Sequence, residues 1–249
     1  MKPEGWVRSA VIVLAVGGLE LACRTGVIPP TMVVAPSNMV VGVVQEFGRE
    51  GFWFHLKQSL VAVGIALVLS ITIGFIIGFI LTQVQFLRRA TAPFLAAYYS
   101  IPHIAFYPLL IVIFGLGRAP LIFLATLFAM VAMIMATMTG LDRISSVLQK
   151  TAKVYRMSKV DEILNIRLPA ALPHILSGLK LAIAYSFIGV IAGEFIMSTS
   201  GIGHEIAFSY DNFNNQRMYS LILIVLALVT SVNMAVFAFE RRLLSRRGL

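Results

Sequence analysis

The residues able to do chemistry are few, and their spacing does not gather them into a reaction centre. His55, His103, His174 and His204 lie in different segments, at no separation typical of metal ligands. The single Cys23 excludes an internal disulfide framework and a cysteine-based metal cluster. The chain holds no nucleophile elbow, no paired-carboxylate constellation and no GxxxxGK[ST] phosphate loop. No catalytic residue, metal or cofactor of its own is therefore expected. The remaining polar chemistry falls inside apolar runs. Tyr98, Tyr99, Ser100 and His103 gather in one; Ser186 and Glu194 lie in another. Polar residues in such places are functional candidates by default, and these six are the candidate site residues. The plainer alternatives stay open: Glu194 as a helix-end carboxylate meeting water or a base, His103 as a satisfied structural group.

The elements that must position them are set by composition. The chain has 249 residues, 59% of them hydrophobic and 12% charged, with a mean hydropathy of +0.90. Soluble domains run about 45–50% apolar and about 25% charged, so a soluble domain is excluded, as is a disordered chain. A bilayer core of about 30 Å takes about 20 apolar residues per helix. Six stretches qualify: roughly 7–23, 58–82, 94–115, 119–140, 175–198 and 218–239. The expectation is an all-α polytopic membrane protein, one transmembrane domain over residues 1–249. Lys2 and Arg8 ahead of the first run resemble a secretory signal. Glu20-Leu21-Ala22-Cys23 approaches a lipoprotein cleavage site but puts Glu where that site has Leu, so an uncleaved first helix is expected. Pro102 and Pro108 should bend or break the third span around Ser100–Pro108. Backbone broken at membrane depth must be buried or line a cavity, so a simple kink and a pathway element both stand.

The net charge of +9 sits almost entirely between or beyond the apolar runs, without the aromatic-interleaved stripe of a nucleic-acid surface. With a cytoplasmic N-terminus, the inner segments carry Lys2, Arg8, Arg88, Arg89, Arg143, Lys150, Lys153, Arg156, Lys159, Arg167, Arg241, Arg242, Arg246 and Arg247. The outer ones carry only Arg24, Arg49, Lys57, Arg118 and Arg217. Fourteen against five puts both termini inside. Lipid supplies no hydrophobic drive between helices, so small residues must let backbones approach. The second span has Ala62, Ala66, Ser70, Gly74 and Gly78; the fifth has Gly178, Ala182, Ser186, Gly189 and Gly193. These read as packing seams first, with a pathway lining or a dimer contact as alternatives. Met130, Met133, Met135 and Met138 of the fourth span read as gap-filling core.

Residues 141–174 form the longest polar stretch. Ser145 can cap a short helix bearing Val147, Leu148 and Tyr155, and Ser158 with Asp161 makes a capping-box pattern for a second bearing Val160, Ile163 and Leu164. Leu168-Pro169 should stop that second helix. The result is a helix–turn–helix lying on the cytoplasmic face, turning near Arg156–Ser158, and resting on headgroups or docking a soluble partner.

Residues 150–173, KTAKVYRMSKVDEILNIRLPAALP, resemble the EAA loop of binding-protein-dependent ABC importer permeases. Leu168-Pro169 is followed by Ala170, Ala171, Leu172 and Pro173, as in the nitrate/sulfonate/taurine branch, and the likeness continues at Ile28-Pro29-Pro30, Ala35-Pro36-Ser37, Pro102, Pro108-Leu109, Phe114-Gly115, Gly193-Glu194 and Ser200-Gly201-Ile202-Gly203. Counting back from Leu168-Pro169, the family's Glu position is Lys150, Thr151 replaces an Ala, Ala152 matches, and the family's Gly position is Arg156. A turn of positive φ is free for Gly and costs other residues about 1 kcal/mol. Arg156 thus implies a strained turn or a turn of another shape, and Lys150 reverses a charge.

The resemblance implies the type I ABC importer permease fold: six transmembrane helices with a cytoplasmic coupling-helix hairpin, in a bacterial inner membrane. It implies a membrane subunit that passes a small, often anionic solute delivered by an external solute-binding protein. It pairs with a second permease copy, as a homodimer, and with two ATP-binding cassette ATPase subunits that hold the ATP and Mg. The ATPase-coupling residues would be Lys150, Thr151, Ala152, Tyr155, Arg156, Met157, Ser158, Leu168 and Pro169. An ion-coupled secondary transporter is the alternative; it calls for intramembrane acid–base relays and inverted repeats, neither of which is evident. A membrane-embedded enzyme lacks a catalytic set.

Overall fold

The computed structural model describes residues 3–29, 31–98 and 100–246, and among them every regular element is helical. In chain order these are α1 (Pro3–Arg24), α2 (Pro36–Phe47), α3 (Phe52–Gln83), α4 (Gln85–Tyr98), α5 (Tyr107–Phe114) and α6 (Arg118–Asp142). Then follow α7 (Ser146–Val154), α8 (Lys159–Glu162), α9 (Leu168–Met197), α10 (Ile202–Asp211) and α11 (Asn215–Arg246). Four helices are long and apolar enough to cross a membrane: α3, α6, α8 running into α9 as Lys159–Met197, and α11. The bent pair Gln85–Tyr98 and His103–Phe114 makes a fifth if it is one span. α1 is helical over 22 residues and is not one of the four.

Local sequence explains the breaks. α4 and the segment His103–Phe114 meet at 92°, at the place where Pro102 and Pro108 remove backbone donors. A 3-10 turn, His103–Phe106, leads into α5. Gly115 and Gly117, at φ 77° and 140°, turn the chain from α5 into α6. α2 starts with Pro36 in its first turn, where no donor is needed.

Leu168-Pro169 does not stop its helix, against the sequence expectation. α8 passes through a π-helical turn, Ile163–Arg167, directly into α9. The Leu168 N–H reaches back to the Ile163 carbonyl. A proline ring collides with the carbonyl four residues back, here Asn165, and that carbonyl lies inside the widened turn that accommodates the ring. The helix of the loop and the fifth span are therefore one helix.

The chain divides into two compact units: Met1–Ser59 with Glu194–Leu228, and Leu60–Gly193 with Val229–Leu249. In the second unit α6 is the axis. On one side α3 lies so close that a Cβ on Gly74 would sit 2.6 Å from the Met130 carbonyl oxygen, and one on Gly78 2.8 Å from that of Ile134. On the other side a Cβ on Gly189 of α9 would sit 2.6 Å from Ala125 Cα, and one on Gly178 would run into Ala136. Both seams are thus packing within one chain. Ala62, Val63 and Ala66 bury against Ala125, Ile183, Phe187 and Val190. Met133 and Met138 are buried, while Met135 faces outward. Lys180 of α9 pairs with Glu240 of α11 at 2.5 Å and lies over the Phe237 ring, which is how a charge is accommodated at membrane depth.

In the first unit α1 and α2 are joined at Glu20, whose carboxylate accepts from Ser37 Oγ at 2.7 Å and from the Ser37 N–H at 3.0 Å. α2 meets α11 where Gly42 leaves room for Ser220, whose hydroxyl reaches the Met39 carbonyl at 3.1 Å.

Gly189→Leu and Gly78→Leu are expected to lower the thermal unfolding midpoint of the detergent-solubilised protein, each costing about 1–3 kcal/mol or more from overpacking. Gly64→Leu, with open space beside it, should leave the midpoint unchanged.

Candidate functional site

Between α6 and α9 the chain makes an elbow from α7, a turn and α8. Ser145 caps α7, its side chain accepting from the Leu148 N–H at 3.3 Å. Ser158 caps α8 by accepting from the Asp161 N–H at 3.1 Å, and its hydroxyl donates to the Asp161 carboxylate at 2.6 Å. Between them Arg156 takes φ 48°. The Met157 N–H bonds to the Ala152 carbonyl at 3.0 Å and the Arg156 N–H to that of Lys153 at 3.1 Å. This is a Schellman ending with arginine at the position normally held by glycine. Of the two turn shapes left open by the sequence, the strained one is present.

The elbow is fixed at its base. Leu141 and Ile144 bury against Ala171, with Phe79, Ala170 and Ile175 around them. A Cβ on Gly140 would sit 3.0 Å from the Ala171 carbonyl oxygen, so α6 and α9 touch through backbone there. Arg88 grips Asp142 with two parallel bonds of 2.9 and 2.6 Å. Arg167 binds Glu162 at 2.7 Å and reaches Gln83 at 3.5 Å. Away from the base, Lys150, Tyr155, Arg156 and Ser158 are exposed, Thr151 and Met157 half-buried, and Ala152 buried. Leu168 and Pro169 are half-buried at the start of α9.

At the bend between α4 and α5, Tyr98 and His103 come together, their ring centroids 4.2 Å apart, with Phe128 at 5.0 Å from His103. The Tyr98 hydroxyl donates to the Leu127 carbonyl at 2.8 Å. His103 is buried, and its Nε2 has no hydrogen-bond partner among the described residues. Ser100 is exposed, and Tyr99 lies outside the described residues. Ser186 is fully buried in α9, and its Oγ likewise lacks a partner among the described residues.

Glu194 has a definite occupation. It is 2% exposed and lies against the start of α10. Its Oε2 accepts from the Gly203 N–H at 2.9 Å, and the Ser59 hydroxyl bonds to the carboxylate at 2.7–2.8 Å. Ser59 Oγ in turn accepts from the Ile202 N–H at 2.8 Å. A carboxylate here satisfies orphan donors and meets the positive end of the helix dipole. Gly201, at φ 106°, is required twice: its conformation is left-handed, and any Cβ would occupy the place of the Glu194 carboxylate.

A second chain of bonds was not visible in the sequence. His55 Nδ1 accepts from the Gly201 N–H at 3.1 Å, and its Nε2 faces Glu205 at 3.3 Å. Arg217 binds Glu205 at 2.5 Å and Glu46 at 3.1 Å, and Arg49 also reaches Glu46 at 3.0 Å. Glu46, His55, Glu205 and Arg217 of this network come from α2, α3, α10 and α11, and Arg49 and Gly201 from the connections beside them. The nearest signal was Gly201-Ile202-Gly203, two glycines flanking the first residue of a helix.

Two outcomes follow. Arg156→Gly should stabilise the elbow by up to about 1 kcal/mol and Arg156→Val should destabilise it, read as slower or faster amide exchange over residues 150–160. Ser59→Ala should cost about 1–3 kcal/mol by leaving the Ile202 N–H unmet in a buried place, read as a lower unfolding midpoint.

Comparison with known proteins gives the geometry its context. The taurine transport system permease protein of Escherichia coli is 23% identical over 255 residues, covering 98% of this chain and 93% of that protein. The putative aliphatic sulfonates transport permease protein of Bacillus subtilis is 26% identical over 254 residues, covering 99% and 90%. A nitrate import permease protein of Synechococcus elongatus is 27% identical over 165 residues, covering 66% of this chain and 58% of its own length. Among solved structures, an inward-facing methionine ABC transporter superimposes with a TM-score of 0.66 at 18% identity, over 74% of this chain and 92% of that one; this likeness concerns the fold. Residues 70–245 match the family described as binding-protein-dependent transport system inner membrane component, which takes in the elbow and the helices that carry it, and the chain belongs to that family.

Proposed function

We propose that the chain is the membrane-spanning permease subunit of an ATP-driven importer and passes a small anionic solute received from an external binding protein. The observation that carries this reading is the elbow: a capped helix, a left-handed turn and a second capped helix that continues without interruption into a spanning helix. Such a piece transmits force because it has no free joint at its base, where it is bolted by Arg88–Asp142, Arg167–Glu162 and the Leu141–Ile144–Ala171 cluster.

ATP binding to a partner can shift the helices only through contacts that differ between two bundle arrangements, and the elbow is the place for them. The partners in this reading are two ATPase subunits, which bind the ATP and Mg, a second permease copy forming a homodimer, and the external binding protein. α1, α3, the α4–α5 pair, α6, α9 and α11 would be the six spans of a single transmembrane domain. Both termini would lie on the cytoplasmic side of a bacterial inner membrane, as the fourteen-to-five cation bias favours.

Anionic cargo is supported by two facts. The broken span, residues 94–115, contains no carboxylate and offers Tyr98, Ser100 and His103. The relatives are named for nitrate, taurine and aliphatic sulfonates, each with an anionic group. Ser186 and Glu194 remain the other path candidates, Glu194 in its role at the start of α10.

The test is co-purification. The detergent-solubilised protein should bring down a separately encoded ATPase, and removal of residues 150–169 should abolish this. A complex that survives the deletion contradicts the coupling role.

A further inference from the structure

The face that α7 presents is not simply apolar. Val147, Lys150 and Val154 follow at i, i+3 and i+7, which sets them in one row on the helix surface. The buried Ala152, 2% exposed, lies on the opposite side. Val147 is 69% exposed, Val154 79% and, just beyond the helix, Tyr155 76%. Lys150 thus borders the exposed valines on one side, with Tyr155 on the other, at the position where the resembled family places a glutamate.

The elbow has no acid of its own for this ammonium. The positions three and four residues either side of Lys150 are Ser146, Val147, Lys153 and Val154. Asp161 is held by the Ser158 hydroxyl, and Glu162 is neutralised by Arg167. Lys153, Arg156 and Lys159 are exposed as well, and among the described residues none of the four cations has an ion-pair partner.

A partner that covers Val147 and Val154 must take Lys150 out of water with them, and an ammonium buried without a counter-charge is strongly unfavourable. A helix made to lie on lipid headgroups keeps its cations along the rim of the apolar face, from which they reach water. An elbow seated in a protein groove instead closes that route to water, and the groove must then supply a placed acid.

Resting on the reading of the elbow as the ATPase-docking element, we propose that the ATPase surface receiving it presents a carboxylate to Lys150 Nζ. The chain is then matched to a partner of inverted charge at this point and mismatched to one built to receive glutamate.

The experiment uses the assembled transporter, permease with its own separately encoded ATPase, treated in detergent with a water-soluble carbodiimide. That reagent joins an amine to a carboxylate in contact with loss of water and adds no spacer. Peptide mapping should find Lys150 joined to an Asp or Glu of the ATPase. Lys150→Arg should keep ATPase affinity within about threefold and lose the cross-link, since a guanidinium does not form the amide. Lys150→Glu should weaken affinity by at least about tenfold, as expected when one partner of a buried charge pair is reversed. A wild-type complex in which Lys150→Glu binds as tightly or more tightly overturns the inference and leaves the permease reading intact. So does an elbow whose Lys150 dependence follows the phosphatidylglycerol content of ATPase-free vesicles. A wild-type chain that holds no ATPase at all overturns the permease reading itself, and the inference with it.

Discussion

Everything in the second unit depends on how closely the backbone of α6 is approached from two sides. Apolar side chains gain nothing by leaving lipid for one another, so helices there are held by close packing and by polar contacts. Gly74 and Gly78 bring α3 against the carbonyls of Met130 and Ile134, and Gly178 and Gly189 bring α9 against Ala136 and Ala125. No side chain at these points can yield to admit a larger residue, because the opposing atoms are mostly backbone or Cβ. At the end next to the elbow Gly140 continues the seam against Ala171 and His174. The elbow is hung from that end of the packing.

The first unit is held by a different device. Its helices are short or meet only at their ends, and hydrogen bonds from buried polar groups fix them. Glu194 and Ser59 supply acceptors to the start of α10, and the His55–Glu205–Arg217–Glu46 chain joins four helices. A buried polar network of this kind is favourable only when its members are satisfied, and then it specifies one arrangement sharply. Gly201 makes it possible by leaving the carboxylate its space. The molecule thus uses close backbone contact where the chain is most apolar and directed polar bonds where it is not.

Much of this was legible in local sequence. Ser145 and Ser158 announce the two elbow helices, because capping depends on residues three apart. Pro102 and Pro108 announce the break, because a missing donor acts where it stands. The small-residue rows announce the seams, and Arg156 at the family's glycine position posed the choice that φ 48° resolves. Other features depended on residues far apart in the chain. Ser59 and Glu194 are separated by 135 positions and Glu46 and Arg217 by 171, so no spacing rule reveals either. Leu168-Pro169 misled because a proline breaks an α-helix but not one that widens into a π turn just before it. α2 and α10 went unread because short helices outside the apolar runs carry neither the length nor the hydropathy of a span.

The elbow can act as a lever only if it lies in the compartment that holds ATP. That is tested by placing Tyr155→Cys in a Cys23→Ser background and labelling with a membrane-impermeant maleimide. The exposed position 155 should be labelled in inside-out membrane vesicles and spared in intact spheroplasts. Labelling of intact spheroplasts would put the elbow outside and contradict its role in ATP-driven transport.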